Sequence, residues 1–276
     1  MDRYAVVGFP VQHSWSPFIH GMFAKQTGQD MQYRLLEAPA DQLTQAVMVF
    51  FAEGGKGLNV TVPHKQAVVA LVTHRTPRAE IAGAVNTIAH HGGELLGDNT
   101  DGVGLITDLT HNLHFALTDA RILLIGAGGA ARGVLGPLLE KAPNLVQIVN
   151  RDGNRAEALA QEFSKLGEVH GGNFAAAGNA PFDLVINATS AGLQGKVPPV
   201  PAVVLSPQTL CYDMSYGKQD TPFVLWAKEC GVQRAELGWG MLVEQAAESF
   251  SLWRGVRPDT AAVLDAVRHR SLPQHK

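Results

Sequence analysis

The sequence has few of the features that mark extracellular, membrane or nucleic-acid-binding proteins. Its 276 residues include 2 cysteines, too few for a disulfide framework and without metal-ligand spacing. We therefore expect Cys211 and Cys230 to be buried apolar residues, and we expect no bound metal. No apolar run is long enough to cross a bilayer, and no signal peptide precedes the first strand-like run. With a formal net charge of −3 and no basic cluster, the sequence predicts a cytoplasmic protein without nucleic-acid or membrane partners.

Glycine, in contrast, is plentiful, and its placement after one apolar run predicts a dinucleotide site. Residues 122–125 form an uninterrupted apolar run typical of a strand buried on both faces. Gly126, Gly128 and Gly129 follow, and an apolar run at 134–139 predicts a helix. This is the strand–turn–helix setting of the Gly-x-Gly-x-x-Gly fingerprint, with Ala131 at the third position. The backbone N–H groups at such a helix N-terminus favour a phosphate.

The residues after the next predicted strand, 145–149, bear on which dinucleotide binds. An NAD site usually places an acidic residue here, whereas Arg151 and Arg155 suit a 2′-phosphate because guanidinium groups bind phosphate in a forked geometry. Two ordinary solvated arginines are the alternative. Asp152 leaves the choice open, because it would repel a 2′-phosphate or accept a hydrogen bond from an NAD ribose.

The first hundred residues read as a separate α/β unit, since the chain exceeds what one small core needs. Residues 4–8 predict a strand, and Ser16 before Pro17 predicts the N-cap of a helix that ends at Gly28. Ser14 and Ser16 are either loop and cap residues or a pair of ligand-binding hydroxyls at the carboxyl end of a strand.

Two charged residues in this unit are candidates for acid–base chemistry. Pro63 predicts the start of a helix running to about Thr73, which would place Lys65 in its first turn, where the helix dipole disfavours a cation. Partial burial would further lower the pKa of the lysine towards the catalytic range, although a surface lysine is usually only solvated. Asp101 ends a polar loop and is either a helix cap or a functional carboxylate.

The order of motifs along the whole chain resembles that of the shikimate dehydrogenase family. The motifs are His13-Ser14-Trp15-Ser16-Pro17, Asn59-Val60-Thr61-Val62-Pro63-His64-Lys65, Gly83-Ala84-Val85-Asn86-Thr87, Gly97-Asp98-Asn99-Thr100-Asp101-Gly102, Gly126-Ala127-Gly128-Gly129-Ala130, Asn150-Arg151, Asn187-Ala188-Thr189-Ser190-Ala191-Gly192, Tyr212-Asp213-Met214-Ser215-Tyr216 and Gly240-Met241-Leu242-Val243-Glu244-Gln245-Ala246. Together they are far more specific than any one alone.

The resemblance implies NADPH-dependent reduction of 3-dehydroshikimate to shikimate, a step towards chorismate and the aromatic amino acids. It implies two α/β domains with a cleft between them: residues 1–101 for substrate and catalysis, with helices from about 240 to 276 packing back on them, and a Rossmann NADP-binding domain at 102–239. The protein would be a monomer or a homodimer.

The resemblance also assigns roles to individual residues. Lys65, paired with Asp101, would be the acid–base residue. The residues implied to bind the substrate are Ser14, Ser16, Thr61, Lys65, Asn86, Asp101, Tyr216 and Gln245. The residues implied to bind NADP(H) are Gly126, Ala127, Gly128, Gly129, Ala130, Asn150, Arg151, Arg155, Met214 and Gly238. The position of Gln245 alone favours a structural hydrogen bond over a contact with substrate.

Two positions depart from the family pattern, and two other functions remain open. Asp152 stands where many members have threonine, and Leu237 stands where an acidic residue is common.

Asp152 motivates a quinate/shikimate dehydrogenase that accepts NAD. A ligand-sensing module without catalysis is the other alternative, which the presence of both Lys65 and Asp101 disfavours. No Gly-x-Ser-x-Gly elbow supports a serine hydrolase.

Overall fold

A computed structural model describes residues 1–189 and 191–269. The chain divides into two compact units, each of α/β structure. The first unit comprises residues 1–104 and the described residues from 242 onward, and the second comprises residues 105–241.

The first unit is built on a mixed six-stranded sheet with the order β2-β1-β3-β5-β6-β4. Its strands are β1 (Asp2–Gly8), β2 (Met31–Glu37), β3 (Gly55–Val60), β4 (His74–Arg75), β5 (Thr87–His91) and β6 (Glu94–Asp98). The β1 strand pairs in parallel with β2 and β3, whereas β5 runs antiparallel to both β3 and β6. β5 and β6 form a hairpin; its turn is Gly92-Gly93, both at positive φ.

The first unit also contains helices, and the helix of residues 43–52 packs on the apolar side chains of this sheet. The helices are α1 (Ser16–Thr27), α2 (Leu43–Ala52), α3 (Pro77–Ala82), α4 (Asp101–Thr107), α8 (Trp239–Arg254), which enters the unit at Leu242, and α9 (Ala261–His269). The prediction that α1 ends at Gly28 is confirmed, because Gly28 adopts the left-handed conformation with φ 65°.

Two local predictions in this unit were wrong. Trp15, rather than Ser16, is the N-cap of α1, and no side chain caps that helix. Residues after Pro63 form turns followed by a five-residue 3₁₀ helix, Ala67–Leu71, so Lys65 precedes a short helix instead of lying in the first turn of a long one. The helix-dipole argument for Lys65 therefore does not apply.

The second unit contains a fully parallel six-stranded sheet with the order β12-β11-β10-β7-β8-β9. Its strands are β7 (Arg121–Ile125), β8 (Leu145–Val149), β9 (Val169–Gly172), β10 (Leu184–Asn187), β11 (Leu210–Asp213) and β12 (Arg234–Leu237). Numbered within the unit, this is the doubly wound order 3-2-1-4-5-6. The prediction of a Rossmann domain is confirmed, and the glycine-rich loop follows β7, where the strand order reverses.

The helices of the second unit are α5 (Gly129–Leu139), α6 (Gly153–Phe163) and α7 (Pro222–Glu229). Thr221 caps α7, its hydroxyl accepting a hydrogen bond from the Val224 N–H. Cys211 is buried in β11, where burial raises the pKa of its thiol to about 12. Cys230 is exposed just after α7, so the prediction that both cysteines are buried was wrong for this residue.

No helix within residues 1–189 and 191–269 has the length and apolar character needed to cross a membrane. Over the same residues, no group of three or more His, Cys, Asp or Glu side chains could hold a metal ion.

Gly240, in α8, is required by a close contact inside the second unit. A Cβ atom at this position would lie 1.8 Å from Oδ1 of the buried Asp108, which accepts a hydrogen bond from the Tyr212 hydroxyl. We expect Gly240→Ala to displace this carboxylate and lower the free energy of unfolding by about 3 kcal/mol, as overpacked cores do. Urea denaturation measures the change.

Gly21, in the middle of α1, is the matched control. It is exposed, and a Cβ atom there would meet nothing within 4 Å. Since glycine is a poor helix former, Gly21→Ala should raise the free energy of unfolding by about 0.5–1 kcal/mol. Equal effects of the two substitutions would contradict the steric explanation.

Candidate active site

Lys65 and Asp101 form an ion pair in the first unit, with the Lys65 ammonium 2.5 Å from Oδ2 of Asp101. The turn after β3 carries Lys65, and Asp101 is the first residue of α4. The Asp101 side chain is only 6% exposed, whereas 22% of the Lys65 side chain remains accessible. The lysine can therefore exchange a proton with solvent while its carboxylate partner is held inside the protein.

Asn86 completes the surroundings of this carboxylate. Its amide Nδ2 donates to Oδ1 of Asp101 at 2.9 Å, so each Asp101 oxygen accepts from a different side chain. Asn86 is the residue immediately before β5. A carboxylate hydrogen-bonded at both oxygens keeps a fixed orientation.

Gln245 approaches the same amide from α8. Its Oε1 lies 3.4 Å from Asn86 Nδ2, while its own Nε2 donates to the Leu242 carbonyl within the helix. Gln245 thus makes the structural hydrogen bond expected from its position and also lies beside the Asn86–Asp101 pair. Its contact with Asn86 adds a neutral amide to the polar cluster.

Ser14 and Ser16 also lie together, at the start of α1. The Ser14 hydroxyl donates to that of Ser16 at 3.1 Å and accepts from the Ser16 N–H at 3.2 Å. Thr61 lies just after β3, where its N–H donates to the Val7 carbonyl of β1. Its methyl group packs closely over Gly8, because a Cβ atom there would come within 2.4 Å of it. The two serines and the threonine thus follow the carboxyl ends of β1 and β3.

In the second unit, the glycine-rich loop leaves space for a phosphate group. Gly126 has φ +115°, a conformation that side chains disfavour, and lies close to the Ala188 carbonyl. Cβ atoms at Gly128 and Gly129 would meet nothing within 4 Å, so the backbone at the N-terminus of the 11-residue α5 is open to approach. Ala131, at the third fingerprint position, is buried in the core. Ala127 and Ala130 complete the loop and are partly buried.

The next strand ends beside two exposed arginines. Asn150 follows β8, and its side-chain amide donates to the Asp152 carbonyl at 3.0 Å, which shapes the turn. Arg151 and Arg155 are exposed, and in the described part of the chain neither takes part in an ion pair. Asp152 is the N-cap of α6 but makes no side-chain capping hydrogen bond. Both guanidinium groups are thus accessible to an added anion.

Met214, Gly238 and Tyr216 lie beyond the ends of β11 and β12. The Gly238 N–H donates to the Ser215 carbonyl, and a Cβ atom at Gly238 would come within 2.6 Å of the Met214 carbonyl oxygen. Only glycine therefore fits against Met214 in this arrangement. Tyr216 is 37% exposed and packs on Trp239 with ring centroids 5.0 Å apart.

Hydrogen bonds join four of the residues predicted from the sequence, Lys65, Asp101, Asn86 and Gln245, and another joins Ser14 to Ser16. The structure adds two partners that sequence reasoning missed. Thr100 donates its N–H to Asn86 Oδ1 at 2.8 Å, and the Ser249 hydroxyl contacts that of Thr100 at 3.2 Å. Thr100 lies in the polar loop before Asp101, and Ser249 lies one helical turn after Gln245. These two positions are the features of the sequence that could have identified them.

Three family models match the chain. They describe a shikimate dehydrogenase substrate binding domain at residues 6–88, a shikimate / quinate 5-dehydrogenase at residues 108–194, and a shikimate 5'-dehydrogenase C-terminal domain at residues 238–268.

Known proteins match over nearly the full length. A shikimate dehydrogenase (NADP(+)) from Alkalilimnicola ehrlichii is 55% identical, with 97% of this chain and 98% of the relative covered. The corresponding protein from Hahella chejuensis is 52% identical, with 97% and 99% covered. The crystal structure of shikimate 5-dehydrogenase from Thermus thermophilus in complex with NADP(H) and shikimate superimposes with a TM-score of 0.87 at 33% identity, covering 97% of this chain and 99% of that one.

The glycine-rich loop allows a test of its two kinds of glycine. We expect Gly126→Ala to lower the free energy of unfolding by about 1–3 kcal/mol, because an alanine is strained at φ +115° and crowds the Ala188 carbonyl. Gly129→Ala, at the first residue of α5, should leave stability unchanged or slightly raised. Thermal unfolding of both variants measures the difference, and a stable Gly126→Ala protein would contradict the assigned strain.

Proposed function

The chain belongs to the shikimate dehydrogenase family, and from that premise we propose that it catalyses the reversible NADP-dependent interconversion of 3-dehydroshikimate and shikimate. The reaction is a step of the pathway to chorismate and the aromatic amino acids. The observation that carries the proposal is the Lys65–Asp101 ion pair, held by Asn86 beside the neutral side chains of Gln245 and Thr100. We further propose a cytoplasmic enzyme that is a monomer or a homodimer.

The first unit is proposed to bind the substrate. Ser14, Ser16 and Tyr216 are assigned to the substrate carboxylate, which hydroxyl groups can bind without a buried positive charge. Thr61, Asn86 and Gln245 are assigned to the ring hydroxyls and the reacting oxygen. Such a substrate needs many neutral donors and acceptors, and these side chains supply them.

Lys65 is proposed to move the proton. When the carbonyl carbon of 3-dehydroshikimate accepts a hydride, negative charge develops on its oxygen, and the Lys65 ammonium stabilises that charge and donates a proton to form the hydroxyl. Lys65 regains a proton from solvent through its exposed fraction. Asp101 keeps the ammonium oriented and hydrogen-bonds the substrate. In the reverse direction Lys65 accepts the hydroxyl proton.

The second unit is proposed to bind NADP(H), and its residues fit that group. The open backbone at Gly128 and Gly129, with Gly126, Ala127 and Ala130, is assigned to the pyrophosphate. Asn150, Arg151 and Arg155 are assigned to the adenosine 2′-phosphate, and Met214 and Gly238 to the nicotinamide. When bound, NADPH supplies the hydride for the reduction.

Replacing Lys65 tests the acid–base assignment. We expect Lys65→Ala to lower kcat for shikimate oxidation by about 10²–10⁴-fold, because the side chain assigned to take the hydroxyl proton is lost. The affinity for NADP, measured by titration, should remain within a factor of about two, since the cofactor is assigned to the second unit.

Lys56 provides the matched control, since it is an exposed lysine of β3 in the same unit. Lys56→Ala should leave kcat unchanged. Near-normal turnover by a folded Lys65→Ala protein would overturn the role given to Lys65.

Replacing the two exposed arginines tests cofactor choice. We expect Arg151→Ala combined with Arg155→Ala to raise KM for NADP by about 10- to 100-fold, the range for losing charge-assisted hydrogen bonds. KM for NAD should change little, because NAD lacks the 2′-phosphate. Lys165→Ala removes another exposed positive charge of this unit and should change neither KM.

Initial rates with shikimate and quinate, each with NADP and NAD, decide the second candidate function. Asp152 is exposed next to Arg151, and its side chain makes no hydrogen bond that caps α6. Its carboxylate is the group that would accept a hydrogen bond from an NAD ribose, which is the reason for testing NAD. Activity confined to shikimate with NADP would support the main proposal. Comparable rates with quinate or NAD would replace it with the dual-specificity enzyme.

A further inference from the structure

A row of buried polar side chains runs from β2 to the catalytic pair in the first unit. The Tyr33 hydroxyl donates to Asn59 Oδ1 at 2.7 Å, and Asn59 Nδ2 lies 3.1 Å from the Thr87 hydroxyl. That hydroxyl donates to Asn86 Oδ1 at 2.9 Å. Asn86 Nδ2 then donates to Asp101 Oδ1 at 2.9 Å. The four hydrogen bonds form one continuous chain from Tyr33 to Asp101, which we call the Tyr33 relay.

Backbone groups fix the orientation of the Asn59 and Asn86 amides, and with it the direction of three of the four hydrogen bonds in the Tyr33 relay. The Thr100 N–H can only donate, and it points at Asn86 Oδ1, so the Asn86 NH₂ group must face Asp101. The Asn86 carbonyl can only accept, and Asn59 Nδ2 lies 3.3 Å from it, so Asn59 Oδ1 must face Tyr33. The phenol is therefore the donor in the first bond. The Thr87 hydroxyl also lies 2.7 Å from that of Ser249, and when it donates to Asn86 Oδ1 all four bonds point towards Asp101.

Because most of the relay is buried, the loss of one of its hydrogen bonds is not compensated by water. Asn59 is 6% exposed, Asn86 is 2% exposed and Thr87 is fully buried, so water does not readily replace a missing partner. Hydrogen bonds arranged head to tail polarise one another, which strengthens the last bond in the series. That last bond ends on the carboxylate that orients Lys65.

We propose that the hydroxyl of Tyr33 is a positioning group for the reaction, acting through Asn59, Thr87 and Asn86 to hold the Asp101 carboxylate. This inference rests on the proposed function of the Lys65–Asp101 pair. Tyr33 contacts neither Lys65 nor Asp101 directly; its effect passes through the relay. The Asp101 carboxylate meets the charged Lys65 from the turn after β3 and the neutral Asn86 from the residue before β5.

The ring of Tyr33 is held independently of its hydroxyl. It stacks on His20 with centroids 4.3 Å apart and an interplanar angle of 7°, and it packs against Trp253 at 6.3 Å. Complete burial lowers the pKa of His20 to about 3, so this neighbour stays neutral. A phenylalanine at position 33 would keep these ring contacts and remove only the donor.

Tyr4 is a closely matched control. It pairs with Tyr33 in the register of β1 and β2, and its ring packs on the same Trp253 at 4.9 Å. Its hydroxyl accepts from Arg254 instead of joining the relay. Tyr4→Phe therefore removes a hydroxyl from the same aromatic cluster without interrupting the chain to Asp101.

The first experiment compares shikimate oxidation by Tyr33→Phe and Tyr4→Phe. We expect Tyr33→Phe to lower kcat about 3- to 10-fold, the worth of roughly one hydrogen bond, with little change in KM for shikimate. Tyr4→Phe should leave both constants unchanged. Ser16 lies within hydrogen-bonding range of the Tyr33 hydroxyl, so a raised KM with unchanged kcat would place the effect at Ser16 and overturn the relay.

A second pair of variants tests the middle of the relay, away from Ser16. Thr87→Val removes the hydroxyl at nearly constant volume and should lower kcat at least as much as Tyr33→Phe. Thr87→Ser retains the hydroxyl and should restore most of the rate. A folded Thr87→Val protein with the kcat of the unmodified enzyme would overturn the proposal, as would a Thr87→Ser protein no better than Thr87→Val.

A measurement without turnover separates this inference from the proposed function. The side-chain amide signals of Asn86 in the unliganded ¹⁵N-labelled protein can be identified by their loss in Asn86→Asp. We expect their hydrogen exchange to be faster in Tyr33→Phe than in Tyr4→Phe, because the relay loses its first donor. Unchanged exchange would overturn the relay, even if the enzyme oxidises shikimate, and faster exchange would support it even if shikimate is not the substrate.

Discussion

Asp101 is only 4% exposed as a residue, so its carboxylate needs hydrogen-bonding partners inside the protein. The polar contacts around it in the first unit follow from that need. Burying an unpaired carboxylate costs several kcal/mol, far more than a typical single contact contributes. The turn after β3 supplies an ammonium group, and the residue before β5 supplies an amide. Because each partner needs partners of its own, the requirement extends through Asn86 and Thr87 to α8 and β2.

Not every buried charge in this unit is available for chemistry. Arg78, on α3, donates to both oxygens of Asp98 and also to Glu248 of α8. Burial opposes ionisation of Asp98, but the hydrogen bonds from Arg78 and Thr76 prevail and lower the pKa of that carboxyl. This cluster joins α3 to the end of β6, and the Nε, Nη1 and Nη2 groups of Arg78 all donate within it. Lys65, in contrast, donates one hydrogen bond to Asp101, and its ammonium has two further N–H donors.

The second unit depends on close approach between backbone segments. A Cβ atom at Gly171 of β9 would lie 2.2 Å from the Ala156 carbonyl, and one at Gly153 would lie 2.9 Å from the Asn173 N–H. These glycines let α6 pack tightly on β9 and set the turn that carries Arg151. The same sheet leaves the N-terminus of α5 uncovered by any side chain at Gly128 and Gly129. The tight packing of α6 and the open backbone at the start of α5 together create the surface assigned to the dinucleotide.

The sequence by itself determined several of the strands and helices, the Rossmann domain and the family. Apolar runs and glycine spacing report local geometry, and residues 145–149 form β8 as predicted. The tertiary structure decided what local patterns do not contain: that Lys65 precedes a short 3₁₀ helix, that Cys230 is exposed, and that β9 forms from Val-His-Gly-Gly. It also brought Tyr33 and Thr87 into line with Asp101, because hydrogen bonds between residues 15 to 28 positions apart in sequence depend on strand pairing and helix packing, which no local pattern encodes.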